Sequence, residues 1–199
     1  MTGHGDPDAA ENRPRIFGIG LNKTGTSSFH QALTTLGFHS LHDGGRAVHD
    51  AVQRAIDAGA PLVSNLDQRF DAFSDIGLLS RRFRMLDRQY PSSRFVLTTR
   101  PFDEWLDSRR RHVERNVAMK KAGKYHSTFL VIDEEKWTRE WEHHMQGVRA
   151  YFEGRDDFLE IDITRDPRWE PFCELLGVAE PTTPFPWANR GSNPPIAMS

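Results

Sequence analysis

Apolar residues in this chain recur at two spacings, and the alternation between them predicts its organisation. Arg15 to Gly20 reads as a short apolar strand running into a glycine-bearing turn. Phe29, Leu33 and Leu36 then repeat at helical spacing, and Gly37 supplies a stop. Phe38 to Asp43 reads as a short second strand and turn. Val48, Val52, Ala55 and Ile56 line one face of a second helix, closed by Gly59. Pro61 to Asn65 reads as short and extended. Gln68 to Asp75 mixes polar and aromatic residues, which suits a pocket wall better than a core strand. Ile76, Leu79, Phe83, Leu86 and Tyr90 step by three and four, so one amphipathic helix is predicted, stopped by Pro91.

Arg94 to Arg100 is the strongest strand pattern in the chain. Pro101 disfavours helical geometry at Arg100 but suits a first helical turn, so a helix is predicted from there to about Met119. Residues 120–132 form a basic, then apolar, connection, a candidate lid. Trp137, Trp141, Met145, Val148 and Phe152 mark a long helix ended by Gly154. Asp157 to Ile163 reads as a strand. Pro167 opens a last helix with Trp169, Phe172, Cys173 and Leu176 inward and Gly177 at its end. The proline-rich tail from Val178 reads as an ordered strap.

Strands alternating with helices predict an α/β fold: a central, mostly parallel sheet covered by helices on both faces, in three layers. In such sheets ligands bind beyond the carboxyl ends of the strands. Lys23, His42, Asp75 and Arg100 all follow strands or extended segments, and so are placed to face one crevice.

Composition bounds this picture without changing it. The 199 residues, 37% hydrophobic and 27% charged, suit one domain with a lean core. Residues 1–13 are polar and read as a disordered arm without the apolar region of a secretory signal, leaving 14–199 as a single domain. A net charge of −2 points to neither nucleic acid nor a membrane surface as partner. No apolar run approaches the ~20 residues that span a bilayer. Cys173 is the sole cysteine, so no intrachain disulfide forms, and a reducing cytoplasmic setting is expected. It sits in an apolar helical pattern and reads as packing. Nothing here specifies an oligomeric state.

The chemistry concentrates in Gly20-Leu21-Asn22-Lys23-Thr24-Gly25-Thr26-Ser27-Ser28. A loop with two glycines that opens a helix through small hydroxyl residues makes an anion cradle from backbone N–H groups, hydroxyls and the positive helix end. Gly20 and Gly25 have the spacing of a nucleotide-triphosphate loop. The lysine that should follow the second glycine is missing; Thr26 stands there, and Lys23 precedes Gly25 instead.

Lys23-Thr24-Gly25-Thr26-Ser27 instead resembles the 5′-phosphosulfate loop of sulfotransferases that use 3′-phosphoadenosine 5′-phosphosulfate (PAPS). Thr98 to Ser108, with Arg100 and Ser108 eight apart, resembles the same family's 3′-phosphate motif. The resemblance, to a short bacterial-type branch, implies a P-loop-like fold and transfer of a sulfuryl group to a hydroxyl or amine of a small-molecule acceptor. The 3′,5′-bisphosphate (PAP) is then the product, and no metal is required. It implies that Asn22, Lys23, Thr24, Gly25, Thr26 and Ser27 hold the 5′ end, and Arg100 and Ser108 the 3′-phosphate. Arg190, in Asn189-Arg190-Gly191-Ser192, is the nearest counterpart of a late closing loop.

That late loop is Arg-Lys-Gly in the family and is not literally present here, and two further places depart from the family pattern. Ser28 stands where cytosolic members carry a tryptophan that stacks on adenine, leaving Phe102 or Trp105 as alternatives. Asp75 stands in place of their base histidine, and it also suits an N-cap of the helix at Ile76. His42, next to Asp43, is the rival base, and Asp71 a third. His39, His42 and Asp43 are too sparse a set for a metal site. The basic run Arg109-Arg110-Arg111, Arg115, Lys120, Lys121, Lys124 reads as a solvated face balanced by the acidic helix from Asp133. A small-molecule kinase and a non-catalytic nucleotide-binding module are the alternative readings.

Overall fold

Short buried strands set the frame. In the computed structural model, which describes residues 14–124 and 129–188, they are β1 (Ile16–Gly18), β2 (Ser40–His42), β3 (Ala72–Ser74), β4 (Arg94–Thr98) and β5 (Phe158–Ile161). They form one sheet in the order β2-β3-β1-β4-β5, with every pairing parallel. The described helices are α1 (Thr26–Thr35), α2 (Gly45–Asp57), α3 (Gly77–Ser80), α4 (Phe83–Gln89), α5 (Phe102–Lys121), α6 (Glu134–Phe152) and α7 (Glu170–Leu176). None of them is long and apolar enough to cross a membrane. The predicted α/β class and parallel sheet are what the structure has.

The described residues fall into two units. The first runs to Thr99 and resumes at Arg155; the second is Arg100–Gly154. In the first, both faces of the sheet are covered. On one face Ile16, Ala72, Val96 and Ile161 pack against Phe29 and Leu33 of α1 and Phe172 of α7. On the other, Phe73, Phe17 and Phe95 stack across three strands, with ring centroids 5.5 and 5.6 Å apart, and Tyr90 closes against Phe17. Burial on both faces is the ordinary state of a parallel sheet, and it removes the apolar–polar alternation by which strands are recognised.

That effect accounts for one correction. Ala72–Ser74 is a fully buried core strand between β2 and β1, which the polar and aromatic mix of Gln68 to Asp75 disguises. Three residues between Asp71 and Asp75 leave no period to read. The neighbouring Pro61–Asn65 segment is a turn rather than extended, with the Ser64 amide bonded to the Pro61 carbonyl at 2.9 Å. The single helix expected from Ile76 to Tyr90 is two, α3 and α4. The amide of Arg82 turns to Leu79 O and that of Met85 to Arg82 O, both at 2.8 Å, so the i→i−4 ladder is replaced by i→i−3 bonds. Apolar spacing survives such a turn, so periodicity does not reveal it. The far end of α4 is pinned by Gln89 Oε1 and Tyr90 Oη, which accept the amides of Leu62 and Val63 at 3.0 Å.

The second unit is built on α5 and α6. Trp105 is fully buried and packs against Trp141 at a tilt of 42°, centroids 4.6 Å apart. Arg109 is buried, with its guanidinium over Trp105, Trp137 and Phe129 and an ion pair to Glu140 at 3.3 Å. Arg110 pairs with Glu134 and Asp107. The basic run is thus balanced by α6 as expected, but Arg109 belongs to a core rather than to a solvated face. Trp105 likewise packs inside this unit and is not placed to support a base.

Candidate active site

β1 sends the chain towards the β2 edge of the sheet, whereas β4 sends it towards β5. The crevice beyond the β1 and β4 carboxyl ends is therefore the topological switch point, where such sheets bind ligands. The loop from Ile19 to Gly25 lies there.

Its shape follows from contacts that few other residues could make. A Cβ on Gly20 would lie 2.1 Å from Thr98 Oγ1 and 2.5 Å from the Thr98 carbonyl oxygen. Gly20→Ala is therefore expected to cost about 3 kcal/mol or more, at the severe end of overpacking. Thermal denaturation would show this as a drop of roughly 6 °C or more for a chain of this size. Thr24 is buried, and its hydroxyl donates to Leu21 O at 2.6 Å and meets Thr98 Oγ1 at 2.7 Å. Its side chain therefore braces the loop instead of facing a ligand. Asn22 is half-buried in the same loop. Gly25 caps α1 in the left-handed conformation, φ 93°, and no side chain caps that helix end. The first amides of α1 are thus left to another acceptor, which fits an anion.

Lys23, Asp43 and Asp75 also have positive φ, at 70°, 57° and 58°. They follow β1, β2 and β3, three neighbouring strands. Such conformations cost energy outside glycine and gather at functional sites. All three stand at the carboxyl ends of their strands.

Around them the hydroxyls and imidazoles interlock. His42, the last residue of β2, is in register with Ser74, the last of β3. Its Nδ1 lies 2.9 Å from Ser74 Oγ, and its Nε2 lies 3.3 Å from Ser27 Oγ and 3.9 Å from Asp75 Oδ2. Asp75 does not cap the helix after it, whose N-cap is Ile76. Its carboxylate instead has a side-chain hydrogen bond from Thr26 and feels the charge of Lys23. Burial, helped by Asp43, outweighs both and pushes the Asp75 carboxyl up to about 6. Burial and His30 hold His42 below its ordinary value, opposed by Asp43. Near neutral pH the pair is therefore a carboxylate beside a neutral imidazole, a suitable state for accepting a proton.

The sheet thus brings Lys23, Thr26, Ser27, His42 and Asp75 together. Asp71 is not among them: it precedes β3, and its carbonyl accepts the Ile16 amide at 2.9 Å, so it lies at the amino end of the strands. His39 is at that end too, its Nδ1 3.1 Å from Arg69 O. Ser28 is buried, and its Oγ accepts the Ala188 amide at 3.0 Å. The strap expected from Val178 therefore crosses the first turn of α1, held further back by Trp169 Nε1 donating to Thr183 O at 2.6 Å and by Phe185 against Trp169 and Phe172. Arg190 lies outside the described residues. In the second unit, half-buried Arg100 donates from Nε to Glu104 Oε2 at 3.3 Å, and Ser108 lies one turn beyond on α5. Among the described residues, no three His, Cys, Asp or Glu side chains gather as a metal site.

Ser74 and His30 are site residues that sequence reasoning missed. Ser74 is reached only through the β2–β3 register. His30 stacks on His42 with centroids 5.2 Å apart, and no local motif marks either residue.

A family model described as Sulfotransferase domain matches residues 15–193. No curated protein matches the chain.

Proposed function

Because the chain belongs to the sulfotransferase domain family, we propose that it moves a sulfuryl group from PAPS to a hydroxyl or amine of a small-molecule acceptor. The observation that carries this reading is Asp75, a carboxylate raised to about 6 and set beside Lys23 and Thr26 at the uncapped start of α1. It puts a base against an anion cradle, which sulfuryl transfer needs and simple nucleotide binding does not.

PAPS supplies an activated sulfuryl group on a phosphate leaving group. Asp75 takes the proton from the acceptor oxygen or nitrogen as that atom bonds to sulfur. The bond from sulfur to the bridging oxygen breaks, and its electron pair stays on the 5′-phosphate. Lys23, the first amides of α1 and the Ser27 hydroxyl stabilise that charge, by analogy with the loose transition state of phosphoryl transfer, while the Thr26 hydroxyl stays on the Asp75 carboxylate. Arg100 and Ser108 hold the 3′-phosphate and take no part in the chemistry. To do so Arg100 gives up its pairing with Glu104, a half-exposed contact of little worth.

Arg100→Ala is expected to weaken PAP binding by roughly tenfold to a hundredfold, the worth of a hydrogen bond to a charged group. Titration calorimetry checks this, and unchanged affinity would remove Arg100 from the donor site. A kinase reading predicts magnesium-dependent ATP consumption; Thr26 in place of the lysine after Gly25 argues against it.

A further inference from the structure

One ring touches both halves of this site. Nε2 of His42 reaches Ser27 on the anion side at 3.3 Å and faces Asp75 Oδ2 on the base side at 3.9 Å. Nδ1 reaches Ser74 at 2.9 Å. The titratable and charged groups facing the ring are Asp75 after β3, His30 of α1 and Asp43 beside it, with Lys23 acting on Asp75 from the loop. His30 is occupied in turn, its Nδ1 2.9 Å from Ser40 Oγ.

A neutral imidazole has one N–H and one lone pair. A carboxylate on the Nε2 side favours the proton there. Nδ1 then accepts from the Ser74 hydroxyl, and Nε2–H donates to Ser27 Oγ. With that lone pair used, the Ser27 O–H turns away from the ring, towards the start of α1. In the opposite tautomer Ser27 would donate to Nε2 and turn its lone pairs on an incoming anion.

We propose that His42 is a positioning residue that fixes the Ser27 hydroxyl as a hydrogen-bond donor towards the anion held at the start of α1. This rests on reading that helix start as the phosphosulfate cradle. Its consequence is a coupling: the ionised base sets the tautomer, and the tautomer sets the hydroxyl that receives the donor. His42 is then not a second base in competition with Asp75.

Two measurements test this. The first needs no ligand: nitrogen NMR of the labelled imidazoles at pH 7.5, with the His42 signal identified by its loss in His42→Gln. The proton is expected on Nε2, and a proton on Nδ1 overturns the proposal. The second is calorimetry with PAP on Ser27→Ala, His42→Ala and the double variant. Each single change is expected to lower affinity roughly tenfold, and the double no further, since both remove one hydrogen bond. Additive losses, roughly a hundredfold in the double variant, overturn it. His42→Gln keeps a side-chain N–H and is expected to recover most of the affinity lost in His42→Ala; no recovery counts against the proposal. A wild-type chain that fails to bind PAP overturns the phosphosulfate reading instead, and the tautomer still judges His42.

Discussion

Replacing Asp75 with asparagine is expected to remove turnover and, at neutral pH, to stabilise the fold. Loss of a positioned base costs typically 10²- to 10⁴-fold in rate, roughly speaking. The stability effect follows from the raised carboxyl. Its folded value, about 6, lies above the ordinary 3.8, so the folded chain binds this proton more tightly than the unfolded chain. Stability therefore falls as pH rises through the window from 3.8 to about 6, and the full cost stands above it. A shift of about two units corresponds to roughly 2–3 kcal/mol. An asparagine carries no charge to bury and tolerates left-handed backbone as well as aspartate does. The variant should melt several degrees above the wild type at pH 7.5, and the gap should close by pH 3.5. Wild-type kcat/KM should rise with pH through about 6, as Asp75 ionises in the free enzyme, and level off above. A variant that melts lower at pH 7.5 while keeping its turnover would mean that Asp75 is an ordinary structural residue.

Lys23→Ala is expected to cut kcat by roughly 10²- to 10³-fold, the cost of removing one donor from a developing oxyanion. PAP affinity should change far less, because the amides of α1 and the Ser27 hydroxyl remain. The split matters because Lys23 holds a positive φ of 70°, an unusual place for a lysine. A loop that bears this strain for binding alone would lose affinity and turnover together. Steady-state kinetics beside calorimetry separates the cases, and an unchanged kcat would end the assigned role.

The loop was legible in the sequence because its chemistry is local. Gly20, Lys23, Gly25, Thr26 and Ser27 lie in one short stretch, where the misplaced lysine argues against ATP and the resemblance to a phosphosulfate loop supplies the donor. Even there one side chain misled: Thr24 fits the motif, yet its hydroxyl is spent on Leu21 and Thr98, a contact 74 residues away. Asp75 was legible only through resemblance, since a carboxylate before an amphipathic helix reads equally well as a cap. For His42 the sequence offers only part of the surroundings: Asp43 acts on the ring, but so do groups far off in the chain. Asp43 is adjacent in sequence, whereas Ser74, Asp75 and Ser27 reach the ring through strand register and helix placement. The same limit hid β3, whose three buried residues carry no period. Sequence pattern reports local spacing, and this site is assembled at strand ends far apart in the chain.

We propose that the cradle and Asp75 together transfer a sulfuryl group from PAPS. The most direct test is a screen of small-molecule acceptors with PAPS labelled in the sulfuryl group, run without metal beside Asp75→Asn. Label is expected on a hydroxyl or amine acceptor with the wild type, and at most about one per cent of that rate with the variant. Equal labelling by both proteins, or no labelled acceptor from a wild type that consumes ATP with magnesium, would contradict it.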